Sequence, residues 1–146
     1  MSRVLFSLAD KISFSKEQYV SLTCWIMHQE RYDVFVLVGD NAVLPLVAEI
    51  KKTYRKMYNK EMEISVLILK SLYDVDYIFD RLRYKIKEFP DSEIMINYTH
   101  GSNKLAAVGL IVAKLYGLSM QNKLLYFRFF SSIMRSGISC RGYYFH

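Results

Sequence analysis

Apolar residues run along this chain in two rhythms. One is the short unbroken run of a strand, and the other is recurrence every three or four residues, the mark of a helix face. Residues 3–8 (RVLFSL) predict a first strand. Residues 15–30 then predict a helix, with Ser15 as N-cap and Gln18 completing a capping box. Its apolar Tyr19, Leu22, Ile26 and Met27 share one face. Residues 32–38 (YDVFVLV) predict a second strand, with Gly39-Asp40-Asn41 as its turn, and a basic amphipathic helix follows over 42–58. A third strand is expected at 63–69 (EISVLIL). The helix after it spans 74–89, with Tyr77, Ile78, Leu82 and Ile86 on one side, and Pro90-Asp91 ends it. A fourth strand at 93–98 and a fourth helix at 101–116, closed by Gly117, complete the alternation. The runs at 124–130 and 138–145 read as strands, and the short link SSIMRSG makes them an antiparallel hairpin.

Strands that are near-continuous Val, Ile, Leu and Phe are buried on both faces, which is the pattern of a parallel sheet. The expected fold is therefore α/β: a Rossmann-like, mostly parallel sheet with helices on both faces and a C-terminal antiparallel β-hairpin, forming a single domain over residues 1–146. In such sheets ligands bind beyond the carboxyl ends of the strands, where the strand order reverses. The polar ends here are "SLAD" after the first strand, "GDN" after the second and "NYTHGSNK" after the fourth.

Composition narrows the class. A hydrophobic fraction of 52% excludes a disordered chain. No apolar run is long enough to cross a bilayer, and no secretory leader is apparent, so a cytoplasmic protein without membrane partners is expected. Cys24 and Cys140 lie far apart among apolar neighbours and read as reduced small hydrophobes. No His/Cys cluster suggests a metal, and neither metal nor cofactor is expected.

Charge changes the picture more. Residues 1–93 carry fourteen basic and fourteen acidic side chains, whereas 94–146 hold six basic and no acidic ones. Those six are Lys104, Lys114, Lys123, Arg128, Arg135 and Arg141, so the whole net charge of +6 arises in the part that begins at the fourth strand. A field of one sign draws anionic ligands.

The familiar nucleotide fingerprints are absent: neither G-x-G-x-x-G nor the P-loop pattern occurs, and G-x-S-x-G is missing too. Asp10 and Asp40 read as turn carboxylates or caps rather than as magnesium ligands. The stretch Asn97-Tyr98-Thr99-His100-Gly101-Ser102-Asn103-Lys104 differs, because several features agree at one place. Gly101 permits close approach of the backbone to a ligand. Thr99, Ser102 and Asn103 offer donors, the helix adds its first N–H groups, and Lys104 adds a point charge suited to phosphate.

The run NYTHGSNKL resembles the Asp-x-Thr-His-Gly signature of a CRISPR-associated family whose N-terminal part is a CARF domain, the CRISPR-associated Rossmann fold. The matching positions are Thr99, His100, Gly101, Asn103 and Lys104, with Asn97 standing where the signature has Asp. The resemblance implies a homodimer that binds a cyclic oligoadenylate, a ring-shaped messenger of type III CRISPR defence, across its two-fold axis. It places Ser7, Leu8, Ala9 and Asp10 at the ligand with Asn97, Thr99, His100, Gly101, Ser102, Asn103 and Lys104, while Gly39 and Asn41 are ligand candidates as the polar end of the second strand. Family members often carry a nuclease or winged-helix effector, and none is expected within these 146 residues.

A ring nuclease is therefore the expected function, with cyclic tetra-adenylate as the expected ligand. The messenger's own 2′-OH attacks the adjacent phosphate without a metal, and the protein holds the geometry and stabilises the charge. Lys104 is expected to stabilise that charge, Ser7, Ser102 and Asn103 to orient ribose and phosphate, and His100 to act as acid or base. Arg128, Arg135 and Arg141 are further candidates. Three alternatives stay open. One is a sensor that binds without cleaving, and another is a subunit whose effector is a separate chain. The third is a nucleic-acid binder using Lys51, Lys52, Arg55, Lys56 and Lys60, although no direct contact with duplex is expected.

Overall fold

The computed structural model describes residues 1–12 and 15–121. Five strands, β1 (Arg3–Leu8), β2 (Val34–Gly39), β3 (Glu63–Ile68), β4 (Glu93–Asn97) and β5 (Ser119–Gln121), form one sheet in the order β3-β2-β1-β4-β5. Every pairing among the described residues is parallel. The helices α1 (Lys16–Gln29), α2 (Leu44–Tyr58), α3 (Val75–Ile86) and α4 (Asn103–Tyr116) connect consecutive strands.

Alternation along the strands builds two cores. Val4, Phe6 and Leu8 of β1 and Val34, Val36 and Val38 of β2 pack with Ile78 and Leu82 of α3 and Leu105, Val108 and Val112 of α4. Leu5, Phe35 and Leu37 face the other way, against Tyr19, Leu22 and Ile26 of α1 and Leu46, Ile50 and Tyr54 of α2. The sheet is thus covered on both faces, as its unbroken apolar strands require.

The helix ends follow their local chemistry. Ser15 accepts from the Gln18 N–H while Gln18 reaches back to the Ser15 N–H, closing the expected box on α1. Asp40 accepts from the Ala42 N–H at 3.0 Å, and residues Asn41–Val43 form a 3-10 turn before α2 starts. This helix therefore begins two residues later than its pattern predicts. Gly117, at φ 65°, ends α4 in the left-handed conformation that glycine adopts without a Cβ penalty. The three residues Ser119–Gln121 carry too little pattern to predict β5, which pairs parallel to β4. The expected hairpin at 124–130 and 138–145 lies outside the described residues.

Strand order turns back on itself beside β1: β2 and β3 extend to one side, β4 and β5 to the other. The crevice that such a reversal opens lies beyond Leu8 and Asn97.

Candidate functional site

Ser7 pairs with Asn97 across the β1–β4 register, so the two polar strand ends emerge side by side. The segments that follow are fastened together. Asp10 Oδ1 accepts the Ser102 N–H at 2.7 Å, and the Lys11 N–H donates to the His100 carbonyl at 2.8 Å. Ala9 donates its N–H to Val38 at 2.8 Å, which ties the loop to β2 as well. Leu8 and Ala9 are themselves buried.

Asn97 shapes the start of the β4–α4 turn. Its Oδ1 accepts from the Thr99 N–H at 3.0 Å and from Thr99 Oγ1 at 2.6 Å, an Asx-type closure. An aspartate could accept the same two bonds, which gives a physical reason why Asn can stand where the resembling signature has Asp. The space that Gly101 leaves is filled by the chain itself. A Cβ there would lie 3.1 Å from Leu8 Cβ and 3.5 Å from the Tyr98 carbonyl. The glycine is thus needed for loop packing over β1, where a close approach to ligand was expected. Gly39 has the same role at β2, where a Cβ would meet Val43 at 2.7 Å, and Asn41 is exposed on the turn beyond it.

The N-terminus of α4 allows an account of its orphan donors. The Ser102 N–H goes to Asp10 and the Leu105 N–H to Ser102 Oγ at 3.3 Å. Among the described residues this leaves the N–H groups of Asn103 and Lys104. Both residues are exposed, and their N–H groups sit where the helix dipole favours an anion.

Lys104 reaches toward α3. Its ammonium donates to the Tyr73 carbonyl at 3.4 Å and lies 5.4 Å from the centre of the Tyr73 ring. On the β5 side of α4 a groove of about 560 Å³ is lined by Tyr98, Thr99, Gly101, Asn103, Ala106, Leu110 and Met120. The β4–α4 turn thus has a charged edge at Lys104 on one side and a largely apolar groove on the other.

Two expected site residues lie beneath this surface. Ser7 is 3% exposed, and its hydroxyl is 2.8 Å from the Tyr19 hydroxyl of α1. His100 is 2% exposed and meets the Tyr19 ring edge-on at 4.8 Å between centroids. Burial lowers the His100 pKa to about 4, so the imidazole is neutral at ordinary pH. Burial also raises the Tyr19 hydroxyl to about 12, against smaller lowering by its hydrogen bonds to Ser7 and Thr23. Ser7 and His100 therefore face α1 and support the turn from behind. Contact of either side chain with a ligand would require it to leave that packing.

Tyr19 was legible only as an apolar helix position, because periodicity does not report a hydroxyl. Tyr73 was passed over as well. The rule that directs attention to strand ends also picks out residues after β3, where "LKSLYD" places an aromatic residue among polar ones. Arg128, Arg135 and Arg141 lie outside the described residues. Among those described, no group of three His, Cys, Asp or Glu side chains is placed to hold a metal, and no helix is long and apolar enough to cross a membrane.

No family model and no curated protein matches the chain. Its fold is similar to that of Enterococcus italicus Csm6 bound to cyclic hexa-2′-fluoro-hexa-dAMP, with a TM-score of 0.56 and 16% sequence identity. The match covers 84% of this chain but 32% of that protein, so the chain spans about a third of its length. The likeness supports the α/β architecture of a parallel sheet covered by helices, and it is a likeness of fold alone.

Proposed function

We propose that the protein binds a cyclic oligoadenylate in the crevice beyond β1 and β4, as a homodimer, and cleaves it as a metal-independent ring nuclease. The observation that carries this reading is the pair of N–H groups on Asn103 and Lys104 that have no acceptor among the described residues, beside the Lys104 ammonium at the reversal point of the sheet. An anionic phosphate is complementary to that set. The solved Csm6 structure supports the choice of ligand, since a protein of similar fold holds a ring of adenylates. Leu110, Ile111 and Leu115 leave an apolar stripe of α4 exposed, which suits a second copy and supports the dimer.

In the proposed reaction a ribose 2′-oxygen forms a bond to the adjacent phosphorus and the bond to the 5′-oxygen breaks. Water takes the 2′ proton and supplies one to the leaving 5′-oxygen. The products are a 2′,3′-cyclic phosphate and a 5′-hydroxyl. Lys104 and the two N–H groups stabilise the phosphorane charge, and Ser102 and Asn103 orient the ribose.

A binding-only sensor is the second reading, and the burial of His100 favours it, because the crevice then presents no imidazole. Labelled cyclic tetra-adenylate and cyclic hexa-adenylate, each incubated with the protein in EDTA, separate the two. Shorter products ending in 2′,3′-cyclic phosphate establish the nuclease, and intact but bound ring establishes the sensor. Absence of both binding and cleavage overturns the proposal and directs attention to Lys51, Lys52, Arg55 and Lys56, all exposed on α2.

A further inference from the structure

Tyr73 is 84% exposed, an unusual state for a large aromatic side chain, and it stands on a loop that its own hydrogen bonds hold in shape. Ser71 Oγ accepts from the Tyr73 N–H at 3.3 Å and from the Asp74 N–H at 3.2 Å, and the Lys70 N–H donates to the Tyr77 hydroxyl at 3.0 Å. The Leu69 N–H donates to Gly39 at 2.7 Å, which anchors the start of the loop on β2. Asp74 then caps α3 by accepting from the Tyr77 N–H at 3.1 Å. The ring is thus presented from an ordered backbone. The Lys104 bond to the Tyr73 carbonyl holds this loop beside α4, with the ammonium 5.4 Å from the centre of the ring.

We infer that Tyr73 and Lys104 form a nucleotide subsite, in which a purine base of the ligand stacks on the Tyr73 ring while Lys104 holds the phosphate next to that base. This rests on the proposed ligand and extends its surface across β2 to the β3–α3 loop. The chemistry is specific to a nucleotide because two complementary groups stand side by side. An aromatic face takes a base of any sequence by stacking, and an ammonium donates to the phosphate that adjoins the base in a nucleotide. A bare anion would use Lys104 and leave the ring idle, whereas an apolar ligand would use the ring and leave the charge unmatched. The bond from Lys104 goes to the Tyr73 main chain, so replacing the side chain removes the ring and its contact with the ammonium but keeps that bond.

That separation makes a clean test. Binding of cyclic tetra-adenylate and cyclic hexa-adenylate is measured by calorimetry for the wild type, Tyr73→Ala, Tyr73→Phe and, as a control on another exposed tyrosine, Tyr84→Ala. Stacking predicts a loss of about tenfold or more in Tyr73→Ala, with Tyr73→Phe and Tyr84→Ala close to wild type. Wild-type affinity in Tyr73→Ala overturns the subsite and leaves the proposed ligand standing. A Tyr73→Phe variant as weak as Tyr73→Ala also overturns it, because the hydroxyl rather than the ring face would then be in use. If the wild type binds neither ring, the proposed function falls and the subsite with it.

Discussion

Asp10 Oδ1 accepts the Ser102 N–H at 2.7 Å, joining positions 92 residues apart at the mouth of the crevice. This one bond sets the spacing of the two loops and also places a carboxylate at the positive end of α4. The acceptor and the charge have separable effects. Asp10→Asn keeps an acceptor and should leave stability within about 1 kcal/mol, whereas Asp10→Ala strands a part-buried N–H and should cost about 1–3 kcal/mol. Urea unfolding reads both. Removing the negative charge should also tighten binding of a polyanionic ring by Asp10→Asn. Weaker binding by a normally folded Asp10→Asn would show that the carboxylate itself contacts the ligand.

Lys104 is exposed and makes no ion pair among the described residues, so Lys104→Ala should unfold at the wild-type urea midpoint. Its effect should appear in ligand affinity alone, as a loss of about tenfold or more at low salt and a shallower dependence on salt. Titrations at two ionic strengths measure both. Lys104→Arg should recover only part of the loss, because a planar fork cannot reproduce the compact ammonium beside Tyr73. Unchanged affinity in Lys104→Ala removes the main electrostatic support for the site.

The hydroxyls of Ser7 and Tyr19 meet in the core between β1 and α1, 2.8 Å apart. Either single change leaves a buried hydroxyl short of one partner, while the pair of changes leaves neither in need. Ser7→Ala and Tyr19→Phe should each destabilise by about 1–2 kcal/mol, and the double variant should lose less than their sum. Strict additivity would show that the two groups act independently. If Ser7 instead contacts the ligand, Ser7→Ala should impair cleavage beyond any change in stability.

The strand ends mark how far the sequence could be read. β1, β2, β3 and β4 were legible because a parallel strand buried on both faces must be apolar throughout, and Ser15 and Gly117 announce helix ends by chemistry that acts within three residues. The turn Asn97–Lys104 was legible as a candidate site for the same local reason. What periodicity could not give was the direction in which Ser7 and His100 point. That depends on Tyr19, a neighbour brought in from another element, and the hydroxyl of a tyrosine is invisible to an apolar pattern. Tyr73 lay beyond reach for a related reason: its nearness to Lys104 follows from α3 packing against α4, a contact between residues 31 positions apart. β5 was missed because three residues pairing at a sheet edge need no hydrophobic pattern of their own.

His100 makes a prediction about acid. In the folded protein burial holds its pKa at about 4, against an ordinary value of 6.5. Between those two values the unfolded chain takes up a proton that the folded one refuses. Stability is therefore fully present above about pH 6.5, falls as the pH drops toward 4, and changes little through this group below that. The total loss assignable to His100 is about 3 kcal/mol. His28 adds to any acid loss in the wild type, since burial and the nearby Lys60 lower its pKa too. The informative quantity is accordingly the difference between wild type and His100→Gln, in which the His28 part cancels. Urea midpoints measured from pH 7.5 to pH 4 should converge as the pH falls, because the variant has no imidazole to protonate. Curves that stay parallel over this range would show that His100 is not held neutral. The imidazole would then be accessible enough to take part in acid–base chemistry at the crevice.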